Sequence, residues 1–203
     1  MPTESTAWRR DLLKRIDSYL EREWEEADSQ ISQAVDHMDL DPEAIERALD
    51  RTVQGGVAGL ELREELVRLE PGLRPGNEVL HEVLNRVAEG RLLVIRGWGK
   101  DEPLLDPALG AILGVLVRNL GGKAGAGGAV EIAPLGNASL QLSYFGPPHW
   151  GESWKGPEED FGRFLAQALG ARLPEREEME SGDFRIELPL PVEAYATNSY
   201  PPA

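Results

Sequence analysis

The sequence predicts an α+β protein: an antiparallel helical hairpin over residues 1–72, then a sandwich over residues 73–192 in which helices cover one face of a mixed sheet. Residues 193–203, ending "SYPPA", read as a flexible tail. Three observations predict this order. Thr6 to Met38 holds neither Gly nor Pro and repeats apolar residues every three or four positions. "DLDPEA" then supplies a break with helix-starting residues. Beyond "EPGLRPG" the pattern changes to alternating helical and strand-like segments.

The first helix carries Trp8, Leu12, Ile16, Tyr19 or Leu20, Trp24, Ala27, Ile31, Val35 and Met38 on one stripe, about nine turns long. Asp41 suits an N-cap, Pro42 the first helical position and Glu43 the positive end of the dipole. The second helix runs from Pro42 to about Leu69 through Ile45, Leu49, Val53, Leu60 and Val67. So short a connection makes the pair antiparallel. Two such hairpins would pair as a four-helix bundle, giving a homodimer; the alternative is that the stripe packs on the C-terminal half of the same chain. Gly55, Gly56 and Gly59 sit inside the second helix, where three glycines cost about 2–3 kcal/mol relative to Ala. A kink or a close helix contact is expected there rather than a binding loop.

In the second half, "NEVLHEVLNRVAEG" reads as a helix closed by Gly90 and "RLLVIRG" as a strand. "DPALGAILGVLVRNL" is a helix capped by Asp106. "AVEIA" and "ASLQLSY" are strands separated by a turn at Pro134–Asn137, and "EEDFGRFLAQALGARL" is a further helix. "DFRIELPL" closes the sheet, with Phe184, Ile186 and Leu188 alternating to one side.

The chain has 203 residues and a net charge of −15, with 36 acids against 21 Lys and Arg. That balance argues against nucleic acid and anionic membranes as partners, because both would repel it. Residues 1–70 hold 18 of the acids against 9 cations, so the charge is spread over folded segments rather than held in a tail. The absence of cysteine excludes disulfides, thiol nucleophiles and Cys-ligated metals. No apolar run approaches 18 residues and "MPTESTAWRRDLL" lacks a signal-peptide core, so a cytoplasmic location is expected.

The order and wording of the second half resemble the GHKL-type ATP-binding domain of sensor histidine kinases. "LLDPALGAILGVLVRNL" with "GGAVEI" looks like the segment with the Asn-bearing helix. "LQLSYFGPP" looks like the strand and Asp-x-Gly-x-Gly turn beneath the adenine, and "FLAQALGARL" with "GDFRIELPL" like the last helix and closing strand. The hairpin ending "ELVRLEPG" similarly looks like the dimerisation and phosphoacceptor hairpin. The resemblance implies a two-component signalling protein whose hairpin meets a response regulator or a histidine kinase.

The chemistry departs from that pattern. Asn119 falls where the family's magnesium-binding Asn sits. The family's adenine-binding Asp, however, aligns with Tyr144, and a phenol does not reproduce a carboxylate's charge-assisted bond. Gly146 keeps the first glycine of the turn, but Pro148 replaces the second and removes a backbone donor. "HWGESWKGPEEDFG" stands where a second glycine-rich loop would wrap phosphates, and its acids would repel them. "GGKAGAGG" lacks the Lys-Ser/Thr of a P-loop. Asn119, Tyr144 and Gly146 thus mark a vestigial nucleotide site, and no cofactor is expected.

The phosphoacceptor region "SYLEREWEEADSQI" has no His. His37, by the hairpin turn, is the one hairpin histidine a relay could use, and short histidine phosphotransferases of the sporulation and alphaproteobacterial type give that alternative reading. His81 and His149 share no spacing with it, so no metal site is expected. Arg22, Trp24 and Glu25 are the candidate partner-binding residues, with Trp24 as anchor. One of Trp150 and Trp154 is expected to fill or cover the empty cleft, since voids are costly.

Overall fold

The computed structural model describes residues 7–36, 42–87, 92–120, 128–146, 157–174 and 183–197. Its helices are α1 (Ala7–Asp36), α2 (Pro42–Arg68), α3 (Gly76–Leu84), α4 (Ala108–Leu120) and α5 (Pro157–Ala168). Its strands are β1 (Arg74–Pro75), β2 (Leu92–Ile95), β3 (Leu104–Leu105), β4 (Ala129–Leu135), β5 (Ser139–Phe145), β6 (Asp183–Pro189) and β7 (Tyr195–Ala196).

Helices α1 and α2 lie antiparallel, because contacts that climb one helix descend the other: Asp17 meets Arg63, Leu20 meets Gly59 and Trp24 meets Gly56. α2 runs unbroken through "QGGVAG". The glycines serve close packing. A Cβ on Gly59 would stand 2.8 Å from Leu20 Cδ2 and 3.4 Å from Phe161 Cε2; one on Gly56 would stand 3.3 Å from Trp24 Nε1.

The main sheet has the order β2-β4-β5-β6, with β2 parallel to β4 and the other pairs antiparallel. It is therefore mixed, as the sequence predicts. Strand alternation sets its faces: in β6, Phe184, Ile186 and Leu188 are buried while Asp183, Arg185 and Glu187 are exposed. The same inner face takes Val130 and Ile132 from β4 and Leu140, Leu142 and Tyr144 from β5. α4, buried from Ala108 to Val117, and α5, through Phe161 and Leu165, cover it. Gly136, at φ +68°, makes the β4–β5 turn at the predicted place, and Gly170, at φ +83°, closes α5.

The two halves share one core. Trp8, Leu12, Ile16, Tyr19 and Leu20 of α1 and Leu62 and Leu66 of α2 are buried together with α4, α5 and the sheet. This face of the helical pair is thus occupied within the chain. Another face of α2 is not: Leu49, Val53, Val57, Leu60 and Val67 recur along it at helical spacing and are exposed.

Two local expectations change and one small sheet is added. α3 ends at Leu84 instead of Gly90, with turn bonds from Asn85 and Arg86 back to Glu82 and Val83. A second antiparallel sheet, β1-β3-β7, is made of two-residue strands too short to leave a periodic signature. Residues 193–196 carry regular structure: a 3-10 turn, Val192–Ala194, leads into β7, which pairs with β3. Tail-like composition was outweighed there by tertiary hydrogen bonds, including Asp106 N–H to Ala194 O at 2.8 Å.

Candidate functional site

The sheet end that the sequence marks as a nucleotide cleft is built by β4, β5 and β6. Register places Val130, Tyr144 and Phe184 side by side across three strands. Tyr144 follows Leu140 and Leu142 on the helix-facing side, so alternation sends its ring inward, and it is 1% exposed. The ring stacks on Phe184, with centroids 5.3 Å apart and planes at 23°.

Two glycines make room for it. A Cβ on Gly128, just before β4, would fall 2.4 Å from the Tyr144 hydroxyl and 2.6 Å from the ring. A Cβ on Gly146, just after β5, would fall 2.5 Å from that hydroxyl and 2.8 Å from Gly128 Cα. Gly128, Gly146 and Tyr144 therefore form one packed unit in which the backbone is bare where the phenol lies. Burial pushes the phenol's pKa above the ordinary tyrosine value, and the negative charge of Asp183 adds to the shift. The group stays neutral. It offers a hydroxyl rather than a carboxylate.

Asn119 lies in the last turn of α4, and its side chain is outside the described residues. So are His37, Pro148, Trp150, Trp154 and the loop "GGKAGAG" at 121–127. His81 is described: it is on α3, with Nδ1 2.6 Å from the carbonyl of Asn77 one turn earlier. No group of three or more His, Asp or Glu suited to a metal occurs among the described residues.

The proposed recognition residues separate on α1. Arg22, 65% exposed, holds its guanidinium 5.4 Å from the centre of the Tyr19 ring, beside α5. Trp24, 44% exposed, lies over Gly56 on the α2 side. Residues two apart on a helix differ by roughly 200°, so Arg22 and Trp24 cannot form one patch. Glu25 is exposed beyond them.

A polar cluster that sequence reasoning missed joins the two halves. Arg9 is 5% exposed and Asp106 is fully buried. The Arg9 guanidinium forks onto the carboxylate, with Nε donating to Oδ2 at 2.8 Å and Nη2 donating to Oδ1. Nη1 also donates to the carbonyl of Leu69 at 2.8 Å, at the end of α2. Asp106 accepts from Ala108 N–H at 2.9 Å, the predicted cap of α4, and from Trp8 Nε1 at 3.3 Å. The backbone N–H of Trp8 donates to Glu193 at 2.9 Å. Asp106, Arg9 and Trp8 thus tie together α1, the end of α2, α4 and the segment before β7. Nothing in the spacing of Arg9 and Asp106 signals this, because they are 97 residues apart.

No family model matches this sequence, and no curated protein matches it. Solved structures do. The histidine kinase AdeS of Acinetobacter baumannii aligns over 85% of this chain and 97% of its own, at 15% identity and a TM-score of 0.40. The blue-light activated histidine kinase EL346 of Erythrobacter litoralis aligns over 83% of this chain and 63% of its own, at 14% identity and a TM-score of 0.36. Both are histidine kinases. At identities this low, no residue's role carries over from them.

No helix among the described residues is long and apolar enough to cross a membrane.

Proposed function

We propose that this chain is a histidine-kinase-like adaptor or regulator in two-component signalling that has lost nucleotide chemistry. In this reading it binds a response regulator or a kinase through its helical pair. The observation that carries the reading is Tyr144. In the sequence it takes the place of the family's adenine-binding Asp; in the fold it fills the space bounded by Gly128, Gly146 and Phe184. A buried neutral phenol both occupies volume a base would need and withholds the charge that would recognise it.

The exposed stripe on α2 supports homodimerisation. Leu49, Val53, Val57, Leu60 and Val67 lie away from the Leu62–Leu66 face that the chain itself covers. Two copies pairing these stripes would bury them in a four-helix bundle.

Calorimetric titration of the full chain with ADP and ATP in the presence of magnesium tests the central claim. We expect no heat of binding up to millimolar nucleotide. Saturable micromolar binding would overturn the reading. A second arm mixes the chain with phosphorylated receiver domains: complex formation without phosphoryl movement is expected. Transfer onto this chain that disappears in His37→Ala would replace the adaptor with a phosphotransferase.

A further inference from the structure

A groove runs along α1, walled on its other side by the end of α5 and the segment after β6. It consists of two adjoining clefts of about 450 and 350 Å3 that share Arg15 and Ala168. One half is cationic, with Lys14, Arg15 and Arg22 over the stacked rings of Tyr19 and Phe164, whose centroids are 4.5 Å apart. The other half is mostly apolar, lined by Leu12, Leu190 and Val192, with Asp11 and the shared Arg15 as its charged residues. Val192 is 81% exposed at its mouth.

The charge is out of keeping with the molecule. The charged residues that line the two clefts are three cations, Lys14, Arg15 and Arg22, against one acid, Asp11, in a chain of net charge −15. The groove cations are also loosely engaged. Lys14 stands 3.8 Å from Asp11, Arg22 4.0 Å from Glu23, and Arg15 donates to the Ala168 carbonyl at 3.4 Å. Charge-assisted hydrogen bonds close to about 2.7–2.9 Å, so these contacts leave donors for a stronger acceptor.

Geometry selects the class of occupant. Lys14 and Arg22 are eight residues apart, about 12 Å along a helix. A single phosphate or carboxylate would engage both only with the two side chains stretched toward each other, whereas an extended chain meets each in place. Trp8 to Arg22 measures about 21 Å by the same rise, the length of about six extended residues. The apolar half asks for a side chain without charge beside the acidic run.

We propose that this groove docks an extended acidic peptide segment of a partner protein. Two or more of its carboxylates face Lys14, Arg15 and Arg22, and an apolar side chain of the same segment sits against Leu12 and Val192. The site is independent of the vestigial cleft and does not need the adaptor reading to hold.

The test pans a library of random heptapeptides against the full chain, then titrates the enriched peptides by fluorescence anisotropy at low and high salt. Peptides with two or more Asp or Glu next to an apolar residue are expected, with binding that falls steeply in salt. The variant K14Q/R15Q/R22Q, altered only at the surface, should weaken them at least about tenfold, and Val192→Ser about threefold. Enrichment without acidic residues, failure to enrich any sequence, or equal affinity for the triple variant overturns the proposal. Two further results do the same. Inorganic pyrophosphate competing as well as the peptide would make this a small-anion site. Self-association that vanishes in the triple variant would give the groove to a second copy of the chain.

Discussion

Tyr144 shows how one buried side chain can depend on bare backbone around it. Its ring is held between Phe184 and the bare backbones of Gly128 and Gly146. From the sequence, Tyr144 is visible only as a residue that fails to match a carboxylate. That its ring itself fills the space follows from strand parity and from two glycines 18 residues apart, which no linear pattern connects. The filling residue expected from the sequence was Trp150 or Trp154, and both lie outside the described residues. Burial and Asp183 raise the phenol's pKa, which fixes the sign of a pH effect. Above about pH 10 the unfolded chain releases this proton while the folded chain keeps it. The contribution is therefore complete below that pH and is lost as pH rises through the folded value. Urea unfolding between neutral and strongly alkaline pH should show this decline. It should be smaller in Tyr144→Phe, and an identical decline in that variant would count against the assignment.

At the scale of the element, periodicity was a reliable guide wherever one face is buried. α1, α2, α4, β4, β5 and β6 all fall within a few residues of their predicted places. What periodicity does not report is how closely two elements approach. The glycines of α2 illustrate this, because helix propensity and packing pull in opposite directions. Gly56 faces Trp24, which is 44% exposed and free to shift outward, whereas Gly59 faces Leu20 and Phe161, both buried. Gly56→Ala should therefore stabilise the protein by about 0.5–1 kcal/mol, the helix-propensity gain. Gly59→Ala should lose about 1 kcal/mol or more, as overpacking exceeds that gain. Urea midpoints at unchanged m-value decide the comparison; equal shifts for the two variants would contradict the close approach of α1, α2 and α5.

For the whole molecule, the Arg9–Asp106 pair is the joint between the helical pair and the sheet. Removing one partner of a buried ion pair leaves an uncompensated charge and costs about 3–5 kcal/mol. Arg9→Met should lower stability by that amount. Adding Asp106→Asn should restore part of it, because an amide still accepts from Ala108 N–H without a buried charge. Denaturation monitored separately by a probe on α1 and by the β-sheet signal should give coincident transitions in the wild-type chain, since both halves share one core. The outer stripe of α2 carries the second prediction at this scale. Val53→Glu combined with Leu60→Glu should turn a dimer into a monomer in sedimentation equilibrium while leaving helix content unchanged. A wild-type chain that sediments as a monomer at its highest soluble concentration would remove the four-helix bundle.

By itself the sequence determined the α+β class, the long helices, the inner strands and the cap at Asp106. Each of these is local: a repeat of 3.6 or 2, or a capping residue. The tertiary structure decided the features that depend on distant residues meeting. It brought Arg9 to Asp106, gave residues 193–196 a strand partner, and turned Arg22 and Trp24 to different neighbours. It also buried one face of the helical pair in its own chain while leaving another open. A linear pattern records which face of an element is apolar; only packing selects what that face meets, because burial energy depends on area and not on the identity of the covering surface.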